Sequence, residues 1–172
     1  MIKTDRLDLV VLSPDLISDI LEGRRAEAEA LGGFALPDDW PDAHDSRFLR
    51  WRREQMLGDA AYEGWLARAI VLRSDEARPM IGHVGYHGPP VGGAVEMGYT
   101  VFPPHRGTGY ATEAVLGMMK HAREHGVERF ILSISPGNAP SLAIAARLGF
   151  VRTGEQMDEE DGLEWVFELK AG

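Results

Sequence analysis

Cysteine is absent from the 172 residues. This excludes disulfides, thiolate zinc sites and a cysteine nucleophile, and it suits a reducing compartment. Basic charge is scarce: 18 lysines and arginines stand against 27 acids, a formal net charge of −9. General attraction to nucleic acid or anionic lipid needs a basic surface, so neither is an expected partner. No apolar run approaches the length of a membrane span, and the opening MIKTDRLDLVVL lacks the basic and then long apolar pattern of a signal peptide. Internal repeats, low-complexity tracts and linker-like stretches are also missing. The chain reads as a soluble, cytoplasmic protein of one domain over residues 1–172, long enough to bury a core without staples.

What is present alternates between strand and helix patterns. Leu7, Leu9 and Val11 alternate with Asp8 and Val10 as in a half-buried strand. A helix follows from Ser13 as N-cap with Pro14 at its first position, residues 23–31 also have helical character, and another helix covers 46–58. Strands are expected over 65–73, 80–87 and 94–102. A long helix over 108–125 carries Ala111, Ala114, Val115, Met118, Met119 and Ala122 as one apolar stripe. A strand at 127–135, a short helix from Asn138 to Leu148 and two final strands around a turn at Asp161–Gly162 complete the order. The predicted class is α/β (α+β), with a mixed sheet of about seven strands flanked by about four helices.

The stretch PPHRGTGYATEA, residues 103–114, places an arginine and two glycines between a strand and the long helix. The first N–H groups of a helix lack intrahelical partners and carry the positive end of its dipole, so an anion is a fitting occupant. A nucleoside-triphosphate loop needs lysine and a hydroxyl residue after its last glycine, but Tyr110 follows Gly109. A dinucleotide turn needs a third glycine where Thr112 stands, and the next strand ends in SISPGN without an acid. The remaining pattern, Arg/Gln-x-x-Gly-x-Gly/Ala, is matched by RGTGYA from Arg106 to Ala111. With VEMGYTVF before it, NAPSLAIAARLGF after it and TDRLDLVVLSPD at the start, the chain resembles the GNAT superfamily of acyl-CoA-dependent N-acetyltransferases. The wording is most similar to the RimJ and RimL branch that acetylates ribosomal proteins.

The resemblance implies acetyl-CoA as the cofactor, with its pyrophosphate on the turn and its pantetheine arm along the end of the GYTVF strand. Residues 100–102 (Thr100, Val101, Phe102), Arg106, Gly107, Thr108, Gly109, Tyr110, Ala111 and Thr112 form that expected site, with hydroxyl donors from Thr108 and Thr112. A backbone N–H at Val101 or Phe102 is the implied oxyanion donor. Glu96 shares a strand face with the small residues Gly98 and Thr100, which leaves room for water and substrate and makes it the candidate base. The family's thiolate-protonating tyrosine falls on Ala145 here, so Ser141 is the alternative acid, and Asn138 is expected to cap its helix and bind the pantetheine arm.

The acceptor is expected to be a primary amine, either a protein N-terminus or a small cationic amine. Two stretches that wall the acceptor site in this family, LPDDWPDAHD and EQMDEED, hold no lysine or arginine. Asp38 and Asp39 would then draw a cation, with Trp40 as an apolar or cation–π wall. No metal is expected: His121 to His125 spells H-x-x-E-H, but the helix stops at Gly126 and no acid is placed as third ligand. The scattered histidines His83, His87 and His105 read as surface residues. A CoA-binding sensor without turnover is the alternative function, and the oligomeric state is monomer or homodimer.

Overall fold

The computed structural model describes residues 1–74, 76–159 and 162–170. Among them are eight strands and five α-helices. The strands are β1 (Ile2–Lys3), β2 (Leu7–Val11), β3 (Arg68–Leu72), β4 (Met80–Tyr86), β5 (Ala94–Val101), β6 (Arg129–Ile134), β7 (Val151–Asp158) and β8 (Gly162–Lys170). The helices are α1 (Pro14–Leu21), α2 (Arg25–Gly32), α3 (Ala43–Gly58), α4 (Tyr110–Glu124) and α5 (Ala139–Leu148). The strand beyond the expected seven is β1, whose two residues are too few to show a period. Five helices stand where about four were expected: α2 falls on residues 23–31, which the sequence marks as helical, and Gly23 at φ 72° separates it from α1. The residues group into two compact units, Met1–Gly85 with Tyr99–Met118, and Tyr86–Gly98 with Met119–Gly172.

In the first unit, β1, β2, β3 and β4 pair antiparallel in that order. The alternation expected in β2 fails at Asp8, which is 1% exposed. Two arginines make this burial tolerable, Arg73 at 3.3 Å and Arg78 at 3.0 Å, because a buried charge must be paired. Ser13 caps α1 by accepting from the Leu16 N–H at 3.3 Å, and Leu16, Ile17 and Ile20 turn inward. Helix α3 starts three residues earlier than the sequence suggests, because Asp42 accepts from the Asp45 N–H at 2.8 Å and so caps it. Its buried positions, Leu49, Arg52 and Met56, follow the helical period, and Leu49 and Met56 close a core with Leu12, Ile17, Leu66, Ala69 and Trp40.

In the second unit the start of β5 runs parallel to β6, pairing Ala94 with Arg129 and Glu96 with Ile131. Strand β6 pairs antiparallel with β8, and β8 with β7, so the sheet is mixed. Phe130, Leu132, Ile134, Ala145 and Phe150 are buried there. The turn expected at Asp161–Gly162 has its first residue outside the described set. No described helix is long and apolar enough to cross a membrane.

Candidate active site

The first unit holds the glycine turn and the strand end that leads into it. The Phe102 N–H donates to the Ile81 carbonyl at 2.9 Å, and the His87 N–H donates to the Glu96 carbonyl at 2.9 Å. This register sets Gly82 against Val101 and His83 against Thr100. In an antiparallel ladder alternate pairs exchange hydrogen bonds, so the Val101 N–H and C=O face the edge of β5 away from β4. A Cβ on Gly82 would collide with the Thr100 carbonyl and come within 3.0 Å of Val101 Cα, which is why glycine stands there. Of the two backbone donors expected near the thioester, that of Phe102 is therefore engaged in the sheet. Val101 is the one left on the edge.

The turn itself needs its glycines. Gly107 has φ 76° and Gly109 φ 85°, values that favour a residue without a side chain. Nothing lies within 4 Å of a Cβ on Gly107, so the backbone is open to close approach. The first intrahelical bond of α4 runs from the Glu113 N–H to the Gly109 carbonyl at 3.0 Å. The N–H groups of Tyr110, Ala111 and Thr112 thus precede the α4 hydrogen-bond ladder at its electropositive end.

The side chains of the turn behave differently from expectation. Arg106 Nε donates to the Val101 carbonyl at 2.7 Å, tying the turn to the end of β5. The Thr108 hydroxyl donates to the His105 carbonyl at 2.8 Å, so its proton serves the turn and is not offered to an anion. A residue outside the motif, Arg6, completes the support. It donates through its guanidinium to the Thr108 carbonyl at 3.1 Å and to Glu113 at 2.6 Å, and it stacks 4.5 Å from the Tyr110 ring centre. Burial by itself would raise the Glu113 pKa, but the Thr4 hydroxyl at 2.5 Å, the Arg6 N–H and the Arg6 guanidinium hold it below the ordinary carboxylate value. Arg6 stands in the opening TDRLDLVVLSPD, but nothing local in the sequence ties it to Glu113, 107 residues away in the chain.

The second unit holds Glu96, Asn138 and Ser141. The Ser133 hydroxyl donates to Glu96 at 2.6 Å, and the Gln156 amide donates to Ser133 Oγ at 3.1 Å. His87 Nδ1 lies 3.7 Å from the other Glu96 oxygen. The Glu96 side chain is 27% exposed, so water reaches a carboxylate that is nonetheless held in place. Ser133 stands on the half-buried face of β6, between the buried Leu132 and Ile134, and its partnership with Glu96 depends on the β5–β6 pairing, which nothing local in the sequence marks. Asn138 caps α5 as expected, accepting from the Ser141 N–H at 3.2 Å. Ala145, at the family's tyrosine position, is fully buried. His125 Nδ1 is 2.8 Å from the His121 carbonyl, which engages that nitrogen within the helix end.

The acceptor residues need correction. Trp40 is 8% exposed and packs within the core, its ring 6.2 Å from that of Phe102, so it is no open wall for a cation. Asp38 is exposed but paired with Arg25 at 3.4 Å, and Arg25 also donates to the Pro37 and Leu36 carbonyls. The stretch lacks basic residues of its own, yet α2 lays one across it. Asp39 is exposed. In the other acidic stretch Glu155 pairs with Arg152 at 2.9 Å, while Glu160 and Asp161 lie outside the described residues. His83, read from sequence as a surface residue, has a side chain only 14% exposed, with Asp45 at 3.6 Å. Hydrogen bonding to His83 is the main cause that holds the Asp45 carboxyl below its ordinary pKa, and it outweighs the opposing effect of burial.

The chain has measurable likenesses to known proteins. It is 28% identical over 127 residues to mycothiol acetyltransferase of Saccharomonospora viridis, an alignment covering 63% of this chain and 40% of that one. The chain therefore spans less than half the length of that curated relative. Its fold is similar to that of ribosomal-protein-S5-alanine acetyltransferase from Vibrio fischeri, with TM-score 0.64, 16% identity and coverage of 98% and 94%. It is also similar to the microcin C7 self-immunity acetyltransferase MccE, solved with acetyl-CoA and AMP, with TM-score 0.66, 14% identity and coverage of 97% and 93%. Residues 6–151, which include the turn, Glu96 and the α5 cap, match the acetyltransferase (GNAT) domain family. A match over that share of the sequence, together with the mixed sheet and the glycine turn, shows that the chain belongs to the GNAT acetyltransferase family.

Proposed function

We propose that this protein, with residues 1–172 working as one domain, transfers an acetyl group from acetyl-CoA directly to a primary amine. The observation that carries the reading is the turn at Arg106–Gly109, with two positive-φ glycines opening onto three unladdered N–H groups of α4. Such an arrangement fits a pyrophosphate, since backbone donors approach closely and need no reorganisation. The residues that would hold acetyl-CoA are Gly107, Gly109, Tyr110, Ala111 and Thr112 at the pyrophosphate. Thr100 and Val101 would lie along the pantetheine arm, and Asn138 at its amides. Arg106 and Arg6 place positive charge beside the turn while bracing it.

Bound acetyl-CoA supplies an activated acyl carbon and a thiolate leaving group. The chain's own residues supply the remainder. The Val101 N–H is directed at the oxygen that gains negative charge as the amine attacks, a pre-aimed donor whose loss typically costs about 3 kcal/mol in such sites. Glu96 takes the proton that the amine must lose, directly or through water, and the Ser133 hydroxyl holds the carboxylate in position. A protein α-amine is roughly a tenth neutral at pH 7 and a lysine amine only about one part in a few thousand, so the demand on Glu96 depends on the acceptor. Ser141, in the first turn of α5, would return a proton to the departing thiolate. From the neutral amine the products are an N-acetyl amine and CoA thiol. The proton gained by Glu96 leaves to solvent, while solvent restores the one given by Ser141. An amine that enters as ammonium releases one further proton to solvent.

The acceptor is either a protein N-terminus, as in the RimJ and RimL branch, or a small amine, and the reaction takes place in the cytoplasm. The test is release of CoA thiol from acetyl-CoA with N-terminal peptides, polyamines, aminoglycosides and amino acids. Saturable thiol release with one class supports the reading. Tight CoA binding without release by any of them overturns it in favour of a sensor.

A further inference from the structure

The hydrogen bonds behind Glu96 all run toward it. The Gln156 amide donates to Glu164 at 3.0 Å and to Ser133 Oγ at 3.1 Å. A serine hydroxyl has one proton, and here it goes to Glu96 Oε1 at 2.6 Å. Oε1 thus already accepts a short bond, and the neutral amide behind Ser133 ends that route for a departing proton. A proton taken from an amine therefore belongs on Oε2. His87 faces that oxygen, with Nδ1 3.7 Å away. Its backbone N–H donates to the Glu96 carbonyl at 2.9 Å, which fixes the ring's origin opposite Glu96. The ring crosses β5 at Gly98, on the same strand face as Glu96: a Cβ there would stand 3.4 Å from His87 Nε2. The His87 side chain is 49% exposed, so water and a small amine reach it without any opening of the core.

Resting on the acetyl-transfer reading, we propose that Glu96 and His87 act as one base, in which the proton lost by the amine passes over Glu96 Oε2 and comes to rest on His87 Nδ1. The amine N–H bond breaks as Oε2 gains the proton, and the Oε2–H bond then breaks as Nδ1 gains it. An imidazolium is left against a carboxylate, and it later gives its proton to solvent. The second step matters because a carboxylic acid readily hands the proton back. In water an imidazole holds a proton roughly a hundredfold more tightly than a carboxylate does. The 3.7 Å separation is longer than a hydrogen bond, and catalytic contacts of this kind tighten when the site is occupied. Within the second unit the other charged groups on this sheet face are Glu164 and Asp158 toward the β7–β8 turn, and Glu168, Arg129 and Lys170 at the opposite end. Glu128 borders Gly93 in the loop that follows His87. Gln156 engages Glu164, and Arg129 lies 3.8 Å from Glu168, so Glu96 is the carboxylate that answers the imidazolium.

The test is the pH dependence of kcat/KM in the full chain, read as CoA thiol release with the fastest amine among N-terminal peptides, polyamines, aminoglycosides and amino acids. Between about pH 5.5 and 7.5 the amine must itself lose one proton, which gives log kcat/KM a slope near one. In the wild type a protonated His87 cannot receive the proton, so the slope should steepen toward two as pH falls through the imidazole range. His87→Gln should lose about tenfold at pH 7.5, the effect of a roughly hundredfold weaker final acceptor with transfer about half complete. Its slope should stay near one, so the deficit shrinks to about twofold or less at pH 5.5. Loss of mere positioning gives the same deficit at every pH. A second readout is the titration of the His87 ring by nuclear magnetic resonance, its signal identified by its loss in His87→Gln. Glu96→Gln should lower the midpoint of that titration, because a neighbouring carboxylate favours the imidazolium. A pH-independent deficit, a wild-type slope that stays at one, or an unmoved midpoint in Glu96→Gln overturns the shared base. With saturable thiol release these results leave acetyl transfer standing. No thiol release by the wild type from any amine overturns the acetyl-transfer reading, and the shared base falls with it.

Discussion

The glycine turn of the first unit and the Glu96 group of the second present their polar atoms in opposite ways. At the turn the side chains are turned inward on the protein: Arg106 holds Val101, Thr108 holds His105, and Arg6 holds Thr108 and Glu113. What remains for a ligand is backbone, three N–H groups at a helix start. At Glu96 the backbone is in the sheet, with its carbonyl accepting from His87, and the side chain is what faces water. Backbone donors suit a constant anionic ligand because their positions are fixed by the fold. A carboxylate with a hydroxyl beside it suits a proton that must come and go. The contrast teaches that in one region residue type matters through conformation, and in the other through chemistry.

Substitutions can break this contrast at either end. Glu96→Gln should have the largest effect, lowering kcat by about 100-fold, the usual scale for losing a positioned base, while CoA affinity stays within about twofold. Its deficit should deepen at low pH, where neutral amine is scarce. A full-rate variant with an unchanged pH–rate profile removes Glu96 as the base. Gly109→Val comes next. A β-branched residue at φ 85° costs about 1–2 kcal/mol and brings its Cβ to 3.5 Å from Arg6, so CoA affinity by calorimetry should fall about 10-fold or more. Unchanged affinity with an unchanged melting temperature would remove the turn as the binding site.

Arg106→Glu should weaken CoA by about 10-fold, through loss of the Val101 anchor and an added negative charge. Arg106→Gln sharpens the comparison: if bracing matters more than charge, it loses nearly as much. CoA affinity within twofold for both variants would deny Arg106 either part. Ser141→Ala should slow turnover only a few-fold, about the value of one hydrogen bond, because water can replace the hydroxyl. Wild-type turnover would reduce Ser141 to a member of the α5 first turn.

The smallest expected effect is on stability. Glu113 has its folded-state pKa depressed, so its contribution is present at neutral pH and is lost as pH falls below its ordinary value of 4.5 toward the folded value. Glu113→Gln should lower the urea midpoint at pH 7 and leave it less sensitive to acid than the wild type between about pH 5 and 3. Equal acid sensitivity in the two proteins would show that the Thr4–Arg6–Glu113 contact does not secure the turn.

Much of the fold was legible because periodicity and capping are local. The α4 stripe, the Ser13 and Asn138 caps and seven of the strands follow from spacing alone. The misses have local causes of their own. Strand β1 is two residues long, and α3 begins at Ala43 because a carboxylate four residues before the apparent start accepts its N–H groups. Among the candidate residues, Glu96, the glycines and Asn138 could be singled out from the sequence, because each is marked by residue type in a strand or turn context. Trp40 was placed in a loop as an exposed wall, but neighbours distant in sequence cover it. A composition count saw an acidic stretch there and could not see Arg25 folded across it.

The sequence by itself determined the element order, the glycine conformations at the turn and the family, because these depend on neighbours in the chain and on residue types at fixed spacing. Only the tertiary structure decided which polar groups remain available. Arg106, Thr108 and Phe102 each carry a donor suited to a ligand, and each directs it to a carbonyl of the protein. Trp40 carries one that no described residue accepts. A hydrogen bond is settled by distances of about 3 Å between groups that can be 100 residues apart, and spacing along the chain does not encode that distance.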